Sequence, residues 1–475
     1  MPGIPLLATP ILAGCDPVAA SQTSAFPFVS SRLGTAPTQR SLGVEMAYSD
    51  GPKSAVLTGY DPASAAQIIV PGSKSITNRV LLIAALAKGK SVLRRPLFSE
   101  DTAAMRECLD ALGVSIDVLE NGDVEVTGTG KLSAPTRHLF VENAGTAARF
   151  LTAAAGLAGG AVTLDGNSYM RKRPILPLVR ALRGLGLAVT ATRGCMPVTV
   201  SGQKIVERAG QRPVVQIDAG YSSQYVSAMM MIAPLLPMGL DLRLGGTTDK
   251  IDAAGYLDVT LDCMAAFGVL PALQDPGRWV FDPQAYEPRD YTVEPDYSAA
   301  TYYWAAQHLG QTEIEILESN PSATRQPDAA SERVMRQFPS MPSEVNGSQM
   351  QDSVPTLAVL AAFNESPVRF TGIANLRVKE CDRIEAVANG LNAIQPGLAV
   401  VEADDLIVNG ALTATDGAAP VTIDSVDDHR IAMCFSLVAL RGIPVRITHP
   451  MCVQKTFPAY WDELRKLGVS IEFED

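Results

Sequence analysis

The chain lacks a cationic surplus: 39 Lys and Arg stand against 50 Asp and Glu, a formal charge of −11. Nucleic acids and anionic membrane surfaces are bound through clustered positive charge, so neither is an expected partner. Paired cysteines are missing as well. Cys15, Cys108, Cys195, Cys263, Cys381, Cys434 and Cys452 are scattered, odd in number and never in C-x-x-C spacing. That argues against a disulfide framework or a zinc site and for a reducing compartment. His138, His308, His429 and His449 are too dispersed to suggest a metal cluster. No apolar run reaches the length of about eighteen residues that spans a bilayer. The longest, around Met229 to Leu236 and Ile431 to Leu440, read as core segments.

Acidity is nearly absent from the first fifty residues, where Asp16 is the only carboxylate before Glu45. This Ala-, Ser-, Thr- and Pro-rich stretch lacks the basic start and compact apolar block of a secretory signal. Residues 1–52 therefore read as a disordered extension, with organellar targeting as the alternative. The remainder is expected to act in the cytoplasm as a monomer. At 475 residues the chain is too long for one ordinary core, and two domains are expected.

What charge there is collects in short segments. Arg377-Val-Lys379-Glu380-Cys-Asp382-Arg383 packs three cations and two carboxylates behind a strand-like run. Such a mixture is too costly to bury unpaired, and it suits a site that holds anions and moves protons. Pro71-Gly72-Ser73-Lys74-Ser75 leads into an apolar helix through Val80 to Ala87, with Arg79 on its first turns. Free N–H groups at a helix entrance favour anions. Asn143-Ala-Gly145-Thr146 precedes an Ala-rich helix, and Arg171-Lys172-Arg173 stands before a helix starting near Ile175. Cations at the positive end of a helix are unfavourable without an anion to meet them. Tyr221-Ser222-Ser223-Gln224, Asp427-Asp428-His429-Arg430 and Gln454-Lys455 complete six polar patches ahead of helices. Converging on one cleft, they would form an anion funnel for phosphorylated, carboxylated small molecules.

A repeat underlies these patches. An amphipathic helix, a Gly and a short apolar strand recur at Ala103 to Ile116, Leu178 to Val189, Leu257 to Leu270 and Tyr460 to Ile471, with a weaker copy from Arg383 to Leu398. Gly suits the left-handed residue that ends a helix before a strand. The spacing fits a multi-element α/β module. Phe338-Pro339-Ser340 breaks the pattern between Ser331 and Ser348, so one copy is degenerate.

Taken in order, Pro71-Gly-Ser-Lys-Ser with Arg79, Asn143-Ala-Gly-Thr-Ala with Arg149, Arg377-Val-Lys-Glu with Arg383, Asp428-His-Arg-Ile-Ala-Met433 and Lys455-Thr-Phe-Pro458 resemble the enolpyruvyl transferase family, in its branch that uses shikimate 3-phosphate. The resemblance covers Ala66 to Phe473. It implies an α/β fold of two similar domains, each of three βαβαββ units, with the active site between them. The chain would cross near Gly72 and Glu294, giving one lobe from 53–72 plus 294–475 and another from 73–293. It further implies that the enolpyruvyl group of phosphoenolpyruvate passes to the 5-hydroxyl of shikimate 3-phosphate, without metal or organic cofactor. Shikimate 3-phosphate would meet Ser75, Arg79, Ser222, Ser223, Gln224, Tyr256, Asp352, Asn375 and Lys379. Phosphoenolpyruvate would meet Lys74, Gly145, Arg173, Gln224, Arg383, Arg430 and Lys455. Lys74, Asp352 and Glu380 would carry the proton transfers.

A relative that acts on UDP-N-acetylglucosamine would have Asn after the first lysine and a catalytic loop cysteine, whereas Ser75 follows Lys74 here. Several positions depart from the family pattern. Glu142 replaces Gly, Ala148 and Phe150 replace Met and Pro, Ala253 replaces Ser, and Arg325-Gln326-Pro327-Asp328 replaces Gln-Gly-Asp. These leave a second reading open: a paralogue with another acceptor, or one without turnover.

Overall fold

The computed structural model describes residues 51–62, 65–201, 211–220, 222–245, 253–413 and 418–475. Residues 1–50 of the N-terminal extension and Tyr221 lie outside the described residues.

Among the described residues, six helices carry apolar side chains on nearly every side and are accordingly enclosed. They are Lys74–Leu86, Gly145–Ala154, Ser223–Ile232, Tyr297–Gly310, Val354–Ala361 and His429–Ser436. Six others, Glu100–Ala111, Leu176–Gly184, Gly255–Ala266, Ser331–Met335, Arg383–Ile394 and Tyr460–Arg465, bury one face and show the other to solvent. The two kinds alternate along the chain.

Among the described residues, five four-stranded sheets share one strand order. Leu139–Phe140 runs parallel to Ala161–Asp165, which pairs antiparallel with Cys195–Ser201 and through it with Ala188–Thr192. In chain order this reads strand, enclosed helix, strand, amphipathic helix, hairpin. The last unit is completed by the start of the chain. Ser54–Tyr60 lies between Val445–Thr448 and Val469–Glu474, with Ser54 opposite both Thr448 and Glu474. The sixth sheet has only two strands, Ala65–Ile68 and Glu313–Ile316, running parallel. Its hairpin is missing where the repeat breaks: after Ser331–Met335 the chain turns through Phe338 and Pro339 to Glu344–Asn346, which joins the next sheet.

The helix–Gly–strand copies fold much as their pattern predicts, with Gly113, Gly186, Gly268 and Gly468 all at positive φ. One differs. After Gly268 the strand starts only at Leu273, because Pro271 supplies no N–H to a ladder. The enclosed helix predicted from Val80 begins earlier, at Lys74, so the polar patch is its first turn rather than its preface.

One apolar core draws on Ile76 to Val293, and a second on Ala55 to Val70 together with Ala299 to Val469. The chain passes between them twice, side by side. Gly72 is bridged antiparallel to Pro295, Ser73 N donates to Glu294 O at 2.8 Å, and Asp296 N donates to Pro71 O at 2.9 Å. A Cβ on Gly72 would come within 2.2 Å of Arg95 O, so no other residue fits this approach. Gln326 ties the two passes together: its Oε1 accepts from Ser73 Oγ and Tyr297 N while its Nε2 donates to Pro295 O. Among the described residues no helix is long and apolar enough to cross a membrane.

Candidate active site

The enclosed helices bring their N-terminal turns to one cleft. One wall is mostly neutral. Ser75, Arg79, Thr146, Ser222, Ser223, Gln224, Ala253, Tyr256, Gln351, Asn375 and Lys379 line an open volume of about 560 Å³, with Lys74 and Asp352 at its edge. Ser222 caps its helix by accepting from Gln224 N at 3.2 Å, and Gln224 Nε2 donates to Thr146 Oγ1 at 3.2 Å. Arg79 is fully buried behind this wall, held among the described residues by neutral acceptors: Thr260 Oγ1 at 2.8 Å, Ser75 O at 2.7 Å, and Ser227 Oγ and Tyr256 O at 3.2 Å. Its guanidinium also faces the rings of Phe150 and Tyr256. Tyr256 OH donates to buried Asp328 at 2.7 Å, as does Ser353 Oγ at 2.8 Å. Asp328 thus fastens Tyr256 to the turn that carries Asp352.

The other wall is a web of paired charge. Arg383, 2% exposed, donates to Asp428 at 2.8 Å, Glu380 at 2.7 Å and Asp352 at 3.1 Å. Arg430 donates to Asp352 at 2.7 Å. Asp428 also accepts from Arg430 N at 2.8 Å, capping the helix His429–Ser436. Arg173 lies 3.7 Å from Glu380, and Lys455 Nζ stands 3.7 Å from Glu380 and 3.3 Å from Asp101. Lys455 also donates to Asn143 O at 2.7 Å, and Lys74 Nζ lies 3.4 Å from Asp101. Residues of both cores therefore meet across the cleft. Gly145 leaves room for the guanidiniums, since a Cβ there would come within 2.5 Å of Arg149 Nη1 and 2.7 Å of Arg173 Nη2.

Proton affinities follow from this geometry. Burial alone would raise Asp352 and Glu380, but the surrounding cations outweigh it. Arg430, Lys379, Arg383 and Lys74 hold Asp352 below the usual carboxylate range, and Arg383, Arg173 and Lys455 hold Glu380 well below it. Asp328 goes the other way, raised by burial and by the charge of Asp352. Burial lowers the Lys379 ammonium, with Asp352 opposing. Burial lowers Arg79 to about 10. His429, buried and beside Arg430, is pushed well below the ordinary histidine range.

All the residues singled out from sequence as site candidates lie on these two walls, but their neighbours do not all join them. Arg377 pairs with Asp382, Glu385 and Asp404 at the surface. Exposed Arg171 pairs with half-buried Asp165 and Lys172 sits over Tyr169, so only Arg173 of that basic run reaches the cleft. Lys455 ends a 3₁₀ turn, Pro450–Lys455, rather than opening the last helix. Glu142 remains exposed. Pro327 opens a 3₁₀ turn, Pro327–Ala330, where its missing N–H is no loss. Sequence reasoning missed Asp101 altogether, and it named Asp428 and Asp328 only within their motifs, without their roles as counter-charge to Arg383 and support beneath Tyr256. A carboxylate in or just before a helix's first turn was the available signal, and that feature is common to many helices.

Comparison with known proteins agrees with this arrangement. Residues 62–464 match the family model described as EPSP synthase (3-phosphoshikimate 1-carboxyvinyltransferase). A protein of that enzyme name from Rhizobium leguminosarum bv. trifolii is 52% identical over 406 residues, covering 85% of this chain and 95% of the relative. One from Pseudomonas syringae pv. syringae is 50% identical over 402 residues, covering 85% and 94%. In fold, the chain is similar to the solved EPSP synthase of Acinetobacter baumannii, with a TM-score of 0.71 and 24% identity over 89% of this chain and all of that one. This chain belongs to the EPSP synthase family.

Proposed function

We propose that the chain transfers the enolpyruvyl group of phosphoenolpyruvate to the 5-hydroxyl of shikimate 3-phosphate, releasing phosphate. The observation that carries this is the pairing of a hydroxyl-rich wall with a wall of arginines and lysines, with Asp352 shared between them. The first wall takes shikimate 3-phosphate. Its hydroxyls and amides from Ser222, Ser223, Gln224 and Asn375 suit a phosphorylated polyol, with Lys379 and Arg79 supplying positive charge. Among the described residues Asn375 Oδ1 and Gln351 Nε2 are buried without a partner, each at a cost of about 1–3 kcal/mol that a ligand hydroxyl would relieve. The second wall takes phosphoenolpyruvate. Its carboxylate and phosphate call for several cations, with flat two-pronged contacts from Arg173, Arg383 and Arg430 and point charges from Lys74 and Lys455.

The substrate oxygen attacks C2 of phosphoenolpyruvate as Asp352 takes its proton, while C3 gains a proton from Lys74 or Glu380. The resulting tetrahedral ketal loses phosphate as C3 gives a proton back. Without substrate, the cations hold both carboxylates too acidic for efficient proton exchange. Phosphoenolpyruvate compensates Arg173, Arg383, Arg430 and Lys455, and so raises the proton affinity of Asp352 and Glu380 at the moment they are used. The lobes are 53–72 with 294–475, and 73–293, hinged where the two passes of chain run together. The protein is proposed to act as a monomer in the cytoplasm.

Phosphate release from phosphoenolpyruvate tests this reading, with release expected only when shikimate 3-phosphate is present. One observation favours a paralogue that uses another acceptor: Ala253 lines the neutral wall without a hydroxyl and at φ +52. Failure to release phosphate with shikimate 3-phosphate, and failure to restore growth of an aromatic auxotroph, would favour that rival.

A further inference from the structure

Asp101 is 4% exposed, and each of its oxygens faces a different lysine: Oδ2 lies 3.4 Å from Lys74 Nζ and Oδ1 3.3 Å from Lys455 Nζ. Those lysines belong to opposite cores, and the helix Glu100–Ala111 packs against the turn Pro450–Lys455 across the cleft. The carboxylate is not needed as a helix cap. Ser99 and Thr102 form a reciprocal capping box, with Ser99 N donating to Thr102 Oγ1 at 3.0 Å. A buried anion held by two cations from opposite sides is favourable only while both are near. Separation of the cores returns Lys455 to solvent and leaves Asp101 with Lys74 alone.

We infer that Asp101 is a positioning residue that couples closure of the cleft to the placement of Lys74 and Lys455 against phosphoenolpyruvate. This rests on the reading of both lysines as ligands of that substrate. Two ammoniums held near one small anion repel each other, and Asp101 supplies the fixed charge that keeps them together before substrate arrives. Its contribution therefore falls on phosphoenolpyruvate binding and not on shikimate 3-phosphate.

A double-mutant cycle on the full chain tests the inference. Asp101→Asn keeps the shape and removes the charge. It is expected to raise KM for phosphoenolpyruvate roughly tenfold while KM for shikimate 3-phosphate stays within about twofold. Lys455→Met is expected to raise KM for phosphoenolpyruvate as well, and the double variant to be little worse than Lys455→Met alone. Asp101→Glu, which keeps the charge, is expected to recover part of the loss and carries the cycle if Asp101→Asn does not fold. Multiplicative effects in the double variant, or equal damage by Asn and Glu, would overturn the inference. Lys455→Met without effect on KM would strike the donor-site assignment itself, and the inference with it.

Discussion

The two walls of the cleft hold cations by opposite means. On one, Arg383 sits among three carboxylates and Arg430 against a fourth contact, so the positive charge is pinned by ion pairs before any ligand arrives. On the other, Arg79 is buried among hydroxyls and carbonyls, with nothing anionic bonded to it among the described residues. The charged wall is preorganised at the cost of competition: a bound anion must share its arginines with Asp352 and Glu380. The neutral wall keeps an unneutralised guanidinium behind a layer of dipoles and depends on ligand to supply the counter-charge. Where two anionic reactants must lie side by side, this division assigns each a distinct kind of host.

The largest effect is expected where the walls meet. Asp352→Asn should lower kcat by about 10²- to 10⁴-fold, the usual worth of a general base, in a protein that remains folded by circular dichroism. A near-normal kcat would separate the shared carboxylate from the chemistry. Next comes stability, which compares the two arginines directly. Arg383→Met removes the ion pairs at 2.7 Å to Glu380 and 2.8 Å to Asp428 and should cost about 3–5 kcal/mol in denaturant unfolding. Arg79→Met should cost only about 1–3 kcal/mol, because Thr260 Oγ1 keeps Tyr256 O and Ser227 Oγ as hydrogen-bond partners. Equal costs would erase the distinction.

Acid unfolding sharpens the same contrast. Asp352 and Glu380 have folded-state proton affinities below their unfolded ones, so the stability they contribute is full above the ordinary carboxylate range, about pH 4, and is lost as pH falls through their lower folded values. Removing Arg383 should shift this acid limb to higher pH, whereas removing Arg79 should leave it in place. A smaller effect is expected from Gly145→Ala. Its new Cβ meets Arg173 Nη2 at 2.7 Å, and an overpacking cost of about 1–3 kcal/mol should appear as a raised KM for phosphoenolpyruvate alone. The smallest is Ala253→Ser, which adds one hydroxyl to the neutral wall. It should lower KM for shikimate 3-phosphate by about 0.5–1.5 kcal/mol equivalent and leave phosphoenolpyruvate untouched.

Much of this was legible in the chain because enclosed helices announce themselves. Apolar runs such as Val80 to Ala87 and Met229 to Ile232, each preceded by hydroxyls, amides or cations, mark both the core and the mouth of the cleft. That one copy of the repeat is degenerate was legible too, in Phe338-Pro339-Ser340, and the structure shows the hairpin of the two-stranded sheet missing there. What escaped was pairing. Asp101 sits in Ser-Glu-Asp-Thr at an ordinary helix start, and its distant partner Lys455 is brought to it only by the fold. Arg377 shows the converse: flanked by site residues in sequence, it is turned outward by the 3₁₀ turn Ala374–Val378 and paired at the surface with Asp404.

The most direct test of the division between the walls is a crystal structure with shikimate 3-phosphate and an unreactive phosphonate analogue of phosphoenolpyruvate. The expected result places the analogue on Arg173, Arg383, Arg430 and Lys455, and the shikimate 5-hydroxyl within hydrogen-bond reach of Asp352. An analogue seated among Ser222, Ser223 and Asn375 instead, or an acceptor hydroxyl facing away from Asp352, would contradict it.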